Sequence, residues 1–242
     1  MAPTRILRIP ILPFGMVNCH LVHSPDGCVL VDAGIPGSEA KIGRALRQLG
    51  LTFRDIKLIV VTHAHMDHAG SAAAVREASG APILGHEGDL AHYRREAPMT
   101  FCATGLAGRF LLKRGIIQQP YAAFEPDLLL TGDETLDLHA YGIAGRVVPT
   151  LGHTKGSISV ELATREALVG DLLASGIFMG GILRTGHAIR PPFEDDPQAV
   201  GRELQRLVAS GVTRFHLGHG GPLDGAEVQR HARRLMKHPP VR

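Results

Sequence analysis

The sequence predicts an α/β fold, and the order of elements in its first half is the main evidence. Residues 27–31 form an apolar run that ends in Asp32, and residues 57–61 form a second one, so both predict buried strands. Between them, residues 38–49 place apolar side chains on roughly one face and are followed by Gly50, which predicts a helix with a glycine stop. Strand, helix and strand in this order indicate α/β layering.

The rest of the chain shows the same alternation of predicted strands and helices. Short apolar runs separated by Pro, Gly and Asp begin the chain, and similar runs resume after Pro126. The predicted strands are 6–9, 16–23, 27–31, 57–61, 82–85, 127–130, 134–138, 145–150, 157–161, 167–169 and 214–217. The predicted helices are 38–49, 71–79, 197–209 and 224–238. Their order, β-rich then helical in each half, favours two stacked halves.

Residues 87–124 differ from the rest of the chain. Residues 87–96 are polar and predict a helix, and residues 104–113 predict a second, more apolar one. We interpret 87–124 as a helical insertion in a single domain that spans residues 1–242. Such an insertion forms the wall or lid of a pocket, contacts a second copy of the chain, or decorates the surface. We interpret His86 and His92, which fall here, as non-ligands.

Composition limits the partners. The chain of 242 residues has a net charge of +3, which is too small to imply a polyanionic partner, so we expect no nucleic acid. The basic stretch 229–237 is interpreted as the solvated face of the last helix, with anion binding as the alternative. The longest apolar stretch, 167–183, contains Asp171 and four glycines and is a poor membrane span. The sequence leaves the oligomeric state open.

The number of cysteines and the N-terminal residues indicate the cellular compartment of the protein. The three cysteines form no C-x-x-C pair, and their odd count argues against a disulfide framework. Pro3, Pro10 and Pro13 interrupt any apolar leader, so we expect no signal peptide. Together these features predict a cytoplasmic protein.

A histidine-rich segment, Thr-His-Ala-His-Met-Asp-His at 62–68, directly follows the strand 57–61. Imidazole nitrogens and carboxylate oxygens bind zinc and similar divalent ions. His63, His65 and Asp67 alternate, which suits an extended segment, whereas His68 breaks the alternation and faces another side. One short turn can therefore serve two metals. The alternative is an exposed loop at a strand end.

Three further residues have the setting of ligands. His153, Asp171 and His219 each follow a glycine at the end of a predicted strand, where α/β sheets place functional groups. Each alone is typical of a turn. Together with the histidine-rich segment, they indicate one centre of seven ligands.

The order of these motifs resembles the metallo-β-lactamase fold superfamily. The resemblance rests on Thr-His-x-His-x-Asp-His, Gly-His-Thr, Gly-Asp and Gly-His-Gly, with Val-Asp-Ala-Gly at 31–34, and spans residues 29–221. It implies a four-layer αββα sandwich with the metals at one edge. It also implies that His63, His65 and His153 hold one metal, that Asp67, His68 and His219 hold a second, and that Asp171 bridges both. Asp32 is either a turn residue or orients a ligand histidine.

This ligand set predicts a dinuclear hydrolase. Two divalent ions about 3.5–4 Å apart can share a water, lower its pKa and form a bridging hydroxide. Asp67 is the catalytic candidate because it can orient that hydroxide or pass its proton to the leaving group. Zinc is the expected metal, with iron or manganese as alternatives. Ser157 and Ser159 are interpreted as structural.

The bridging Asp171 resembles the glyoxalase II, lactonase and phosphodiesterase branches, so we expect a small ester, thioester or lactone as substrate. The short segment after His219 makes a glutathione-binding helical domain unexpected. Leu172 stands where lactonases often have tyrosine, and Lys155 either meets an anionic substrate or is solvated. His187 is a substrate contact or part of an exposed loop. The alternatives are a β-lactam, phosphodiester or phosphotriester hydrolase, or a non-hydrolytic diiron redox protein.

Overall fold

Two six-stranded mixed sheets pack face to face, with helices on their outer surfaces. The computed structural model describes residues 4–99, 101–114, 119–177, 179–180 and 183–237. The strands are β1 Arg5–Pro10, β2 Asn18–Ser24, β3 Gly27–Val31, β4 Ile56–Val60, β5 Ile83–His86, β6 Leu128–Leu130, β7 Leu136–Asp137, β8 Gly145–Pro149, β9 Ile158–Leu162, β10 Glu166–Leu168, β11 Ala174–Ser175, β12 Ala188–Ile189, β13 Arg214–His216 and β14 Leu223–Asp224. The helices are α1 Glu39–Gln48, α2 Met66–Ala69, α3 Ala72–Ser79, α4 Leu90–Tyr93, α5 Leu106–Arg114, α6 Pro197–Ala209 and α7 Gly225–Leu235.

The first sheet has the order β1-β2-β3-β4-β5-β6, antiparallel from β1 to β3 and parallel from β3 to β6. Alternate side chains of its central strands enter two different apolar clusters. In β3, Val29 and Val31 face the second sheet, whereas Cys28 and Leu30 pack on the side of α1 and α3. Strands buried on both faces have continuous apolar sequences, which is why these strands were predictable.

The second sheet has the order β14-β13-β10-β9-β8-β7, in which only the β10–β13 pair is parallel. Its inner face meets the first sheet through Val147 and Val160, among others, and its outer face is covered by α6 and α7. Asp196 and Asp224 cap these helices by accepting backbone N–H bonds. The predicted αββα sandwich is therefore confirmed.

The 87–124 stretch connects β5 to β6, which are adjacent parallel strands. The helix predicted over 87–96 is confirmed in part, because residues 87–93 are helical and residues 94–96 form a turn. Residues Glu87–Asp89 form a 3-10 turn, and the helix that follows, α4, has a single turn. Residues 100 and 115–118 of the predicted insertion, and residue 238 of the predicted last helix, lie outside the described residues. Among the described residues, none of the helices has both the length and the apolar character needed to cross a bilayer.

Candidate metal centre

The histidine-rich segment lies at the carboxyl end of β4, between the two sheets' edges. His65 is the last extended residue before α2, because the N–H groups of His68 and Ala69 both donate to its carbonyl. The extended alternation predicted from His63 to Asp67 therefore stops at His65. Asp67 and His68 lie instead on the first turn of a helix, so their side chains no longer follow the two-residue alternation of a strand. The His68 ring remains close to the first cluster, with its centroid 4.1 Å from that of His63.

The first cluster contains three imidazole nitrogens that face one another. His65 Nδ1 lies 3.0 Å from His63 Nε2, and His153 Nε2 lies 3.2 Å from each of these atoms. Ligand nitrogens of a tetrahedral zinc, each about 2.0–2.1 Å from the ion, lie about 3.3 Å apart. The triangle therefore has the size of one face of such a coordination shell.

The second cluster contains Asp67, His68 and His219, and Asp171 joins it to the first. Asp171 Oδ1 lies 3.3 Å from His68 Nε2, while its Oδ2 lies 2.9 Å from His219 Nε2 and 3.8 Å from His153 Nε2. Asp67 Oδ2 lies 3.4 Å from His219 Nε2. The seven predicted residues thus come together, with Asp171 between the two groups.

Two features of the seven residues suit the binding of two divalent ions. Buried polar atoms lack a hydrogen-bond partner, and a glycine leaves space beside them. His68 Nε2 and Asp171 Oδ1 are buried 3.3 Å apart, and neither atom makes a hydrogen bond of good geometry within the described part of the chain. Buried polar atoms without a partner are uncommon and require an explanation, such as an ion. A Cβ on Gly218 would lie 2.4 Å from both Asp171 Oδ1 and His68 Cε1, so only glycine leaves these atoms accessible.

The electrostatics of the two clusters differ. Burial, and then the neighbouring His68 and His153, lower the pKa of His63 well below its usual value; burial likewise lowers the pKa of His65 to about 4. Burial opposes protonation of His219 as well, but the Asp171 carboxylate raises its pKa to about 9. The first cluster is therefore a set of neutral imidazoles, whereas the second is a site where carboxylates attract positive charge.

The outer nitrogens of three histidines are held by fixed partners. Thr62 Oγ1 donates to Asp32 and therefore accepts from His63 Nδ1, 3.0 Å away. His68 Nδ1 donates to Asp32 Oδ2 at 2.9 Å, and His219 Nδ1 donates to the Met16 carbonyl. In the neutral imidazole, each of these bonds leaves the lone pair on Nε2, directed at the cluster. Asp32 has a φ of 62° and accepts from the Thr62 N–H, so it is a turn residue and also orients a histidine.

Sequence reasoning missed Asp89, a buried carboxylate that joins the loop of His63 and His65 to the loop of His153. Its Oδ2 accepts from the Ala64 N–H and from Thr154 Oγ1, both at 2.9 Å, and its Oδ1 accepts from the Gly156 N–H at 3.0 Å. Ala64 lies between His63 and His65, and Thr154 follows His153. A carboxylate shortly after the end of β5, at the same sheet edge as the other ligands, was the available signal.

The other residues singled out in the sequence lie elsewhere. His86 bonds to the Gly132 carbonyl and accepts from the Gly88 N–H, in agreement with its interpretation as a non-ligand. His187 is exposed and lies beside Glu227 and Arg230, so the exposed-loop interpretation applies. The structural role predicted for the two serines agrees with their bonds: Ser157 Oγ accepts from the Thr154 N–H, and the Ser159 and Thr150 hydroxyls share a hydrogen bond. Lys155 is exposed.

A small cavity of about 40 Å³ lies directly over the ligands. Its roof is apolar and is formed by Phe101, Leu111, Met179, Pro192 and Phe193. The Phe101 ring stacks on His65, with ring centroids 5.1 Å apart, and meets Phe193 edge-on at 5.0 Å. The ligands are therefore covered by aromatic side chains that limit access of water.

Comparisons with known proteins identify the family. The profile of the metallo-beta-lactamase superfamily matches residues 12–219, and the chain belongs to this superfamily. A hydroxyacylglutathione hydrolase of Anaeromyxobacter dehalogenans (strain 2CP-C) is 33% identical over 202 residues, 83% of this chain and 60% of that enzyme. The Bacillus subtilis (strain 168) protein named probable metallo-hydrolase YqgX is 29% identical over 180 residues, 74% of each chain. The crystal structure of a metallo-beta-lactamase family protein from Thermus thermophilus has a TM-score of 0.67 and 27% identity, covering 97% of this chain and 78% of that one.

Family membership and the His/Asp clusters together make this chain a metallo-hydrolase. The resemblance stated from the motifs is thereby confirmed. The chain spans less than two thirds of the length of some curated relatives, 60% in the case of the Anaeromyxobacter enzyme. Hydroxyacylglutathione is that enzyme's named substrate and is not established for this chain.

Proposed function

We propose that the protein is a dinuclear metal-dependent hydrolase of small esters, thioesters or lactones. The observation that carries this proposal is the position of Asp171, whose two oxygens face histidines of both clusters. A carboxylate between two ligand groups is the arrangement that two-metal hydrolases use to fix the spacing of their ions.

In this proposal His63, His65 and His153 hold one ion, Asp67, His68 and His219 hold the other, and Asp171 contacts both. When bound, two divalent ions supply an activated water and polarise the carbonyl under attack. Zinc is the metal we propose, since neutral imidazoles and carboxylates are its usual ligands, and iron or manganese would also suit them.

Side chains around the cavity orient the reacting groups and shield them from water. Asp67 and Asp171 both line the cavity over the ligands, but the side chain of Asp67 is 28% exposed and that of Asp171 only 4%, so Asp67 is the carboxylate more open to a substrate. We assign it to hold or transfer the proton that the leaving group needs. The aromatic roof of Phe101 and Phe193 excludes bulk water, which strengthens electrostatic interactions with the carbonyl.

The names of two relatives favour a thioester among these substrates. The Anaeromyxobacter enzyme and the Haemophilus influenzae protein GloC are both named hydroxyacylglutathione hydrolase, and hydroxyacylglutathione is a thioester. The identity to GloC is 29% over 180 residues. We propose a thioester as the first substrate class to test, with small-molecule substrates as the only partners.

The test is a hydrolysis panel on protein prepared separately with zinc, iron and manganese. The panel contains a thioester, a lactone, a phosphodiester and a β-lactam, and the variants are His63→Ala and Asp171→Asn. We expect thioester or lactone hydrolysis that both variants reduce by at least about a hundredfold, because a residue that holds the reactive centre contributes several kcal/mol. His187→Ala removes an exposed histidine away from the clusters and serves as control. Hydrolysis that survives both variants would refute the proposal, and oxygen consumption by the iron form without hydrolysis would favour a redox protein.

A further inference from the structure

A second and larger cavity adjoins the metal centre. It has a volume of about 390 Å³, whereas the cavity over the ligands has only about 40 Å³, room for about one water molecule. The larger cavity is lined by Met66, His92, Arg95, Ala97, Pro98, Met99, Phe101, Gln119 and Tyr121. A substrate of more than a few atoms therefore needs space beyond the smaller cavity, and the larger cavity adjoins it.

The two cavities share their walls. Phe101 lines both, and Met66 lines the larger one while its chain neighbours His65 and Asp67 line the smaller one. Tyr121, which also lines the larger cavity, donates from its hydroxyl to the Ala64 carbonyl at 2.9 Å. The wall of the larger cavity is thus bonded directly to the turn that carries the ligands.

Arg95 is the cation of this cavity that has no anionic partner. Among the described residues, no carboxylate lies within ion-pair distance of its guanidinium, which instead lies over the Tyr121 ring, 5.6 Å from the centroid. The nearby carboxylates of Glu96 and Glu125 pair with Arg94 instead. Arg95 also has a left-handed backbone, with a φ of 60°, which is unfavourable for a residue with a side chain.

We propose that Arg95 binds an anionic oxo group, a carboxylate or a phosphate, at the end of the substrate remote from the scissile bond. This inference rests on the proposed function. The planar guanidinium binds such groups through two parallel N–H bonds. Arg95 is exposed, with its guanidinium over the Tyr121 ring at the cavity wall, so it is open to an incoming anion. Met66, Met99 and Phe101 provide apolar surface for the chain between the anionic group and the scissile carbonyl. The substrate class is therefore an ester or thioester that carries a remote negative charge.

The test compares substrates that differ only in terminal charge. Adipoyl and hexanoyl thioesters of N-acetylcysteamine form the acyl pair, with a phosphonate-ended acyl thioester of the same length as a third member. Acetyl thioesters of mercaptopropionate and of its methyl ester place the charge on the leaving group instead. We expect the anionic member of one pair to be favoured about tenfold in kcat/KM, mainly through KM, because the contact is remote from the reacting atoms. Its advantage decreases as salt screens the charge.

Arg95→Ala should remove this preference and leave the neutral substrates within about twofold of the wild type, and Arg95→Glu should invert it. Arg94→Ala is the matched control, since it removes the same charge from the adjacent residue, whose partners lie outside the cavity. Calorimetric titration with the ketone in which a methylene replaces the thioester sulfur of the adipoyl compound measures binding without turnover. We expect Arg95→Ala to weaken this binding about tenfold as well.

The outcomes separate the two proposals. Hydrolysis of both members of each pair with no charge preference, or a preference that Arg95→Ala retains, would overturn the assignment of Arg95 while leaving the hydrolase intact. No hydrolysis of any ester or thioester would count against the proposed function, and the assignment of Arg95 would then be decided by calorimetry. Equal binding to wild type and Arg95→Ala of both the adipoyl ketone and the corresponding ketone of acetyl mercaptopropionate would overturn it.

Discussion

Replacing Asp89 with alanine should loosen the first ligand cluster, although Asp89 is not among the proposed ligands. Its side chain is buried, and its two oxygens accept from the Ala64 N–H, the Gly156 N–H and the Thr154 hydroxyl. These donors belong to two loops that carry three histidines between them. The substitution leaves all three donors without a partner in a buried space.

The magnitude follows from the three bonds. A hydrogen bond to a charged group contributes about 1.5–3 kcal/mol, and such contributions are not additive. Burial raises the pKa of Asp89, which means that the carboxylate is costly to keep ionised and that its removal recovers part of the loss. We therefore expect Asp89→Ala to lower the free energy of unfolding by about 3 kcal/mol. Asp89→Asn retains an acceptor but directs an NH₂ group at a donor, and should cost about 1–2 kcal/mol.

Two assays measure the effect. Urea unfolding of the metal-free protein gives the free energy of unfolding, and competition with a chelator gives the affinity for the metal. Residues that orient ligands typically change metal affinity by about 10–100-fold, and we expect Asp89→Ala to fall in this range. Asp55→Ala is the control, because Asp55 also accepts bonds from a backbone N–H and a hydroxyl, those of Thr52, but at an exposed turn. An Asp89→Ala protein within about 0.5 kcal/mol of the wild type, with unchanged resistance to the chelator, would refute this reasoning.

Three further substitutions test other parts of the structure. Gly218→Ala places a Cβ against Asp171 Oδ1 and should abolish binding at the second cluster, whereas Gly186→Ala, which adds a Cβ in open space, should be neutral in the same metal titration. Glu194→Gln should flatten the pH dependence of the free energy of unfolding, measured with urea. Burial raises the pKa of Glu194 to about 7, so the native state of the wild type holds a proton that is lost as the pH rises. The wild type should therefore lose about 3 kcal/mol of stability between about pH 4.5 and 7, and the variant should not. Phe101→Ala should join the two cavities and lower KM for bulky thioesters several-fold, as steady-state kinetics would show.

Each of these has a contrary result. Full metal occupancy in the Gly218→Ala protein would mean that the space beside Asp171 is not needed. An unchanged pH profile of unfolding for Glu194→Gln would mean that this carboxylate is not protonated in the native state. Equal KM values for bulky and small thioesters in both the wild type and Phe101→Ala would mean that the aromatic roof does not restrict access.

The layers of the fold were predictable because burial on two faces leaves a continuous apolar run. Strands β3 and β4 and helix α6 lie within one residue of their predicted bounds for this reason and because Asp196 and Pro197 mark the start of α6. The helix predicted after β5 is present over residues 87–93, but its 3-10 start and its early end were not predictable from the polarity of the stretch. There, the bonds of Asp89 to two distant loops fix a 3-10 turn where local propensity favours a helix. Strands β11 and β12 have two residues each and no periodicity to detect.

The candidate site was predictable to the extent that its residues follow strands. His153, Asp171 and His219 follow β8, β10 and β13, and the sheet edge brings them beside the segment that follows β4. The insertion 87–124 had the wall of a pocket among its predicted roles, and eight of the nine residues that line the larger cavity belong to it. Which of its residues line the cavity was not predictable, because Arg95 and Tyr121 come from irregular segments whose position depends on packing. Their approach to Met66 and Phe101 is a property of the folded chain only.

The measurement that tests the central claim most directly is the metal stoichiometry of the purified protein, obtained by elemental analysis after titration of the metal-free form. Two ligand clusters that share Asp171 predict that about two equivalents of divalent metal bind per chain. They also predict that Asp171→Asn weakens the binding of both, because the residue contacts histidines of each cluster. A stoichiometry of about one equivalent, or two equivalents that Asp171→Asn does not affect, would contradict the dinuclear centre.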